Sequence, residues 1–104
     1  MKHKDATRAL AALSNPTRLS VFRVLVQAGS RGKLAGDIAL ALSLPGATLS
    51  FHLKVLVAAR LITAEQRGRS ICYRAEFPAM NALVGYLTEN CCVEDLACDR
   101  PSCC

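Results

Sequence analysis

The stretch Pro45-Gly46-Ala47-Thr48-Leu49-Ser50-Phe51-His52-Leu53-Lys54-Val55-Leu56 decides how this chain is read. Pro45 and Gly46 interrupt the apolar run before them, and a helical pattern restarts behind them. At about 100° per residue, Leu49, Leu53, Leu56 and Val57 share one face, the face a core would take. The opposite face carries Ala47, Thr48, Phe51, Lys54 and Val55, with Ser50 and His52 on its flanks. An ordinary surface helix shows Glu and Lys to water; this one shows small hydroxyls, an imidazole and an aromatic ring. No acidic residue lies between Asp37 and Glu65, while Lys54 and Arg60 stand toward the helix's far end. Such a face suits a polyanion, and the expectation is contact with DNA.

Upstream, a short helix covers roughly Leu34 to Leu42, and the break at Leu44-Pro45-Gly46 joins it to the helix above. Two short helices across a tight turn, the second with a non-acidic outer face, describe a helix-turn-helix. Before them, Ser14-Asn15-Pro16-Thr17 is a helix start, with a cap residue and a proline at the first helical position. It opens a second helix from about Pro16 to Ala28, whose Leu19, Val21, Phe22, Leu25 and Val26 make it a core helix. Gly29-Ser30-Arg31-Gly32 ends it. A first helix spans about Lys4 to Leu13, with Leu10 and Leu13 on one side.

Downstream, residues 61–67 and 70–75 read as two strands around Gly68-Arg69, with Ile71, Tyr73 and Ala75 alternating with Cys72 and Arg74. A basic hairpin directly after a helix-turn-helix is a wing, and its Arg67 and Arg69 are placed to reach phosphates or a minor groove. A last helix runs from Phe77-Pro78 to about Asn90. Its Met80, Leu83, Val84 and Leu87 form a stripe that Cys91 continues. In a short winged protein that stripe is expected to join two copies, because a two-fold DNA site needs two readers. The fold expected is therefore mainly α with a β-hairpin wing, a winged helix-turn-helix over residues 1–90, followed by a cysteine-rich tail over 91–104.

Composition narrows the function classes. The chain has 104 residues, 52% of them hydrophobic, enough for one domain with a modest core. No apolar run approaches the roughly 18 residues that a membrane span needs, and Met1-Lys2-His3-Lys4-Asp5 is followed by no signal-peptide core. No membrane partner and a cytoplasmic location are expected. The net charge of +5 is uneven: residues 1–88 hold 12 Lys and Arg against 4 Asp and Glu, whereas the last 16 residues hold one arginine against four acids. A basic body fits nucleic acid. Only His3 and His52 could serve as imidazole bases, and no glycine-rich phosphate loop is present, so an enzyme is the weakest reading.

The six cysteines are just as uneven, with Cys72 alone and Cys91, Cys92, Cys98, Cys103 and Cys104 within the last 14 residues. A secreted disulfide scaffold spreads its cysteines through the fold. Clustering at one end points to a soft-metal or redox site. Cys72, on a wing strand, reads only as a small side chain.

Taken together, Ala12-Leu13-Ser14-Asn15-Pro16-Thr17-Arg18-Leu19, Thr48-Leu49-Ser50-Phe51-His52-Leu53-Lys54 and Gly68-Arg69 with Tyr73 resemble the ArsR/SmtB family of small dimeric winged-helix repressors. Many of these leave DNA when a metal or metalloid binds. The resemblance covers about residues 5–90, and Leu87-Thr88-Glu89-Asn90-Cys91-Cys92 is similar to an arsenic-responsive branch with thiols after the last helix. It implies that Thr48, Ser50 and His52 read operator DNA, that Lys54 meets a phosphate, and that Phe51 presses on a thymine methyl. His52 has a second reading, as a side chain that holds this helix against its neighbour. Two other family sites are missing: Lys33–Ala39 carries no thiol, and residues 77–90 carry no His or Asp.

Sensing then falls to the tail. Arsenite in neutral water is As(OH)3, which exchanges its three hydroxyls for three thiolates and releases water. The product is a trigonal pyramid with a lone pair in the fourth direction. Thiolates also suit zinc and copper(I), so residue type narrows the ligand without fixing it. Adjacent helical residues diverge by about 100°, so Cys91 and Cys92 share one centre only where the helix ends and the backbone turns, and Asn90 tolerates such an ending. The expected inducer is As(III), with Sb(III) as a second candidate, held by Cys91, Cys92 and Cys98, with Cys103 and Cys104 competing for the third place. The expected function is a homodimeric repressor of double-stranded operator DNA released by that ligand. The alternatives are a thiol-redox repressor and a soft-metal-binding protein without a DNA role.

Overall fold

Three kinds of local signal lay out the elements: caps, glycine breaks and strand alternation. The computed structural model describes residues 1–95. Its order is α1 (His3–Leu13), α2 (Pro16–Ala28), a single 3-10 turn (Gly29–Arg31), β1 (Lys33–Leu34), α3 (Ala35–Leu42), α4 (Gly46–Ala58), β2 (Ile62–Arg67), β3 (Ser70–Ala75) and α5 (Phe77–Thr88). This is a mainly helical winged helix-turn-helix. No helix among the described residues is long and apolar enough to cross a membrane.

α2 begins where the sequence sets it. Asn15 Oδ1 accepts from the backbone N–H groups of Thr17 (2.9 Å) and Arg18 (3.1 Å), satisfying two donors that the first turn leaves open. Its Val21, Phe22 and Leu25 are buried at the centre of the core, where Ile38 of α3 and Leu49, Leu53 and Leu56 of α4 are buried with them. α3 ends on Ser43 in the left-handed region (φ 52°), and α3 and α4 meet at a bend of 113°. α4 closes with paired backbone bonds, Leu61 N to Leu56 O (3.1 Å) and Arg60 N to Val57 O (2.9 Å), with Arg60 left-handed at φ 63°. That is a Schellman ending, and it turns the chain directly into β2.

The wing is a three-stranded antiparallel sheet in the order β1-β3-β2. β2 and β3 pair from Ile62↔Ala75 to Arg67↔Ser70 around Gly68-Arg69. Gly68 has φ 60° and Arg69 does not enter the left-handed region, the pattern of a type II′ hairpin turn. β1, which the sequence reading lacked, adds Lys33↔Tyr73 and Leu34↔Cys72 on the other side of β3.

Several expected faces shift. α1 packs through an alanine stripe, Ala6, Ala9 and Ala12, while Leu10 is exposed. Small side chains let helices approach closely, so burial here follows size rather than hydropathy. Leu19 on α2 and Val57 on α4 are likewise exposed instead of buried. On β3 the inward residues are Cys72 and Ala75, with Ile71 exposed, because β1 and the 3-10 turn cover the Cys72 side. α5 ends at Thr88, two residues before Asn90.

Candidate nucleic-acid interface

The outer face of α4 stands open. Thr48, Ser50, Phe51 and Lys54 are all exposed, and Phe51 keeps 61% of its surface in solvent. His52 is half-buried. Its ring meets Phe51 edge to face at 5.6 Å, and its Nδ1 lies 3.4 Å from Arg18 Nη1 on α2. Arginine offers only donors, so in this contact Nδ1 is the acceptor. A 3.4 Å contact is long for a hydrogen bond, but the same guanidinium is anchored by Nε donating to Ala12 O at 2.7 Å. Arg18 therefore ties the end of α1, the start of α2 and the middle of α4 together. Nothing in the sequence pattern singled it out; its place three residues past the Asn15 cap, on the side facing α4, is the signal that marks it.

At the wing tip, Gln66 Nε2 donates to Gly68 O at 2.7 Å and stiffens the turn between Arg67 and Arg69. Glu65 pairs with Arg74 Nη1 at 2.6 Å and more loosely with Arg67 Nε at 3.4 Å. Those hydrogen bonds, Arg74 first and Arg67 second, hold the Glu65 carboxyl below its ordinary range. Arg69 is exposed beside Arg67. The helix face and the wing tip thus present hydroxyls, an imidazole, an aromatic ring and cations, with Glu65 the one carboxylate in this set. Hydrogen bonding to base edges and ion pairing to phosphates are within its chemistry.

The thiols lie elsewhere. Beyond α5, residues 89–95 turn repeatedly through i to i+3 backbone bonds: Cys91 N to Thr88 O, Val93 N to Asn90 O and Asp95 N to Cys92 O. Asn90 (φ 59°) and Cys92 (φ 61°) are both left-handed. This break brings the sulfurs of Cys91 and Cys92 to 3.4 Å of each other, although the residues are adjacent. Among the described residues no three His, Cys, Asp or Glu side chains gather as a metal site. Cys98, Cys103 and Cys104 lie outside the described residues. Cys72 is buried under the wing, its thiol donating toward Arg31 O at 3.5 Å.

α5 leaves Val84 and Leu87 each 58% exposed. Beside them runs an apolar groove of about 380 Å3 between α2 and α5, lined by Leu19, Phe22, Val26, Met80 and Val84. His3 Nδ1 and Tyr86 Oη, 2.6 Å apart, join α1 to α5.

Residues 13–65 match the helix-turn-helix domain family. No curated protein matches the sequence. Among solved structures, the chain is similar to an ArsR-like transcriptional regulator from Rhodococcus sp. RHA1, at 27% identity and a TM-score of 0.74 over 88% of this chain and 83% of that one. It is similar to the homodimeric winged helix-turn-helix DNA-binding domain of Mb0332 from Mycobacterium bovis, a possible ArsR-family regulator, at 29% identity and TM-score 0.67, covering 84% and 81%. A third is the AntR antimony-specific transcriptional repressor, at 28% identity and TM-score 0.62, covering 83% and 74%.

Proposed function

Because this chain belongs to the helix-turn-helix domain family, and is a winged helix-turn-helix DNA-binding transcriptional regulator of the ArsR family rather than an enzyme, we propose that it is a repressor that leaves its operator when trivalent arsenic binds the thiols behind α5. The observation that carries this reading is the Cys91–Cys92 pair, drawn together where the backbone turns left-handed at Asn90 and Cys92. Two thiolates on one tetrahedral zinc, at about 2.3 Å each, stand about 3.8 Å apart. At 3.4 Å the two sulfurs are close enough to share one soft centre. Cys98 supplies the third sulfur, and antimonite, chemically alike, is the second ligand. The antimony-specific repressor of similar fold supports that choice of ligand class.

On DNA, α4 enters the major groove with Thr48, Ser50 and His52 toward base edges, Phe51 toward a thymine methyl and Lys54 toward a phosphate. Arg67 and Arg69 take the adjacent backbone or minor groove. The protein works as a homodimer, which the exposed Val84 and Leu87 and the groove beside them support, and which the homodimeric relative shares. It acts in the cytoplasm, where thiols stay reduced. Ligand binding draws the tail against the end of α5, changes the spacing of the two α4 helices and lowers DNA affinity. By linkage, DNA lowers metalloid affinity by the same factor.

The test is fluorescence anisotropy of a labelled duplex taken from upstream of the coding region, with reduced protein titrated with arsenite and, separately, with zinc. Release by arsenite and not by zinc, abolished in Cys91→Ser, is the expected result. DNA binding indifferent to arsenite but reversed by an oxidant would replace the metalloid reading with a redox one. Absence of binding to any duplex would remove the repressor reading altogether.

A further inference from the structure

Beside the wing lies a basic corner of which only Arg67 takes part in the reading above. The 3-10 turn, β1 and the first turn of α3 form one wall of a cleft of about 750 Å3, and the hairpin forms the other. Arg31 and Lys33 project from the first wall and Arg67 and Ser70 from the second, above the buried Cys72. Asp37 is the single carboxylate in the lining. Among the described residues neither Arg31 nor Lys33 forms an ion pair. Arg67 has only the long contact to Glu65, between side chains that are half exposed. Glu65 is already satisfied by Arg74 at 2.6 Å. Water screens so loose a pair, and an anion in the cleft displaces it at little cost.

The corner is also rigid. Gly29 (φ 69°, ψ −149°) and Gly32 (φ 68°, ψ −169°) bracket it in a backbone region that essentially only glycine occupies. Between them, Ser30 O accepts from Arg74 Nε at 2.8 Å and Arg31 O faces the Cys72 thiol at 3.5 Å. Lys33 is pinned opposite Tyr73 by the β1–β3 pairing. Cations on a fixed backbone lose less entropy on binding than cations on a loose loop.

We propose that this cleft seats backbone phosphates of DNA flanking the segment that α4 and the wing tip engage. Arg31 and Lys33 are then the outer positioning contacts of each protomer. The inference rests on the DNA-binding reading and extends its footprint past the wing tip. Phosphodiester oxygens are the right class of ligand because the lining combines three cationic side chains with the Ser70 hydroxyl, against only Ala28, Leu34 and the Cys72 thiol on its apolar side and no aromatic ring for a base to stack on. Phosphate contacts carry no sequence information, so the cleft adds affinity and register without adding specificity.

The experiment is the same anisotropy assay, run across a salt series on the upstream duplex and on an unrelated duplex. It compares the wild type with the double variant Arg31→Ala/Lys33→Ala, whose folding is checked by its urea midpoint. Each phosphate contact contributes about 0.9 to the slope of log K against log salt. The double variant should therefore flatten the slope by about 1.8 per protomer and lose the same fold-affinity on both duplexes. Asp37→Asn should tighten both. Ser50→Ala should lower preference for the upstream duplex with the slope unchanged. A double variant with wild-type slope and affinity, while Arg69→Ala or Lys54→Ala still flattens the slope, would overturn the cleft and leave the DNA reading intact. A wild type that binds no duplex would overturn both. Inorganic phosphate replacing chloride at equal ionic strength should act alike on wild type and double variant. If it displaced DNA saturably from the wild type alone, free phosphate would be the occupant and the proposal would fall.

Discussion

Gly29 and Gly32 occupy almost the same backbone conformation, so substituting each with alanine separates backbone strain from steric collision. Both have φ near 69° with ψ close to the extended limit, where a residue with a Cβ costs about 1–3 kcal/mol. Around Gly29 nothing lies within 4 Å of an added Cβ. At Gly32 the same atom would stand 2.4 Å from Tyr73 O, 2.7 Å from Arg74 Cγ and 2.9 Å from Cys72 Sγ. The Arg74 side chain can swing aside. The Tyr73 carbonyl cannot, because it belongs to the β1–β3 ladder. Gly32→Ala therefore adds an overpacking cost of about 1–3 kcal/mol to the shared strain. Urea unfolding at one fixed protein concentration reads both variants. Gly29→Ala should lower the unfolding free energy by about 1–3 kcal/mol, and Gly32→Ala by at least about 1 kcal/mol more. At about 4–8 °C per kcal/mol in a domain of this size, the gap is also visible in Tm. Equal midpoints would refute the argument that β1 and β3 approach too closely here for a Cβ. Because Gly32 also sets the position of Lys33, its variant should weaken DNA binding more than Gly29→Ala does.

Replacing Val84 and Leu87 together with Glu puts two charges on the apolar α5 stripe. Sedimentation should then report a folded monomer, and DNA affinity should fall with the loss of the second reader. A dimer of wild-type strength would rule out α5 as the interface. Glu65, held below its ordinary range by Arg74 and then Arg67, contributes stability while ionised and loses it as pH falls through the lowered value. Wild type should therefore exceed Glu65→Gln by a constant margin at neutral pH, and the two should converge in acid. Urea midpoints across pH check this, and a margin that grows on acidification would refute it.

What the sequence made legible depended on how far each signal reached along the chain. α2 was read with its observed bounds because Asn15, Pro16 and Gly29 are all local: a cap, a first-turn proline and a glycine break. The hairpin was legible to within a residue because alternation and the Gly68-Arg69 turn lie within 15 residues of sequence. β1 was not, since two residues make no pattern and Lys33-Leu34 is a strand only by pairing with Tyr73 and Cys72 some 40 positions away. Leu10 and Leu19 were assigned inward on hydropathy alone, whereas the alanine stripe of α1 settles on the core by close approach. On α4, Thr48, Phe51 and Lys54 are exposed where the helical period placed them, whereas Val57, placed on the core face, is exposed as well. Their neighbour Arg18 did not emerge, because its bonds to Ala12 and His52 join three helices. For the thiols, Asn90 announced the turn that brings Cys91 and Cys92 together.

The outer face of α4 and the stripe of α5 differ in charge, and on the function proposed above the difference suits them to different partners. α4 exposes Phe51 on a helix with no carboxylate. Lys54, Arg60, Arg67 and Arg69 stand on or near it, and the next acid along the chain, Glu65, is engaged by two arginines. Positive potential around a partly apolar face is stable when it meets a phosphate backbone with thymine methyls inside it. α5 exposes Val84 and Leu87 to a similar degree, yet from Phe77 to Thr88 it has no charged residue of either sign. DNA has nothing to hold there. A second copy of the same stripe does, since like apolar surfaces bury each other without desolvating any ion, and a two-fold pair of α5 helices places two α4 faces on one side of the dimer only if both copies use the same patch. On the proposed reading, the charge on α4 and its absence on α5 are thus two halves of one requirement, that each surface be covered by the partner the other excludes.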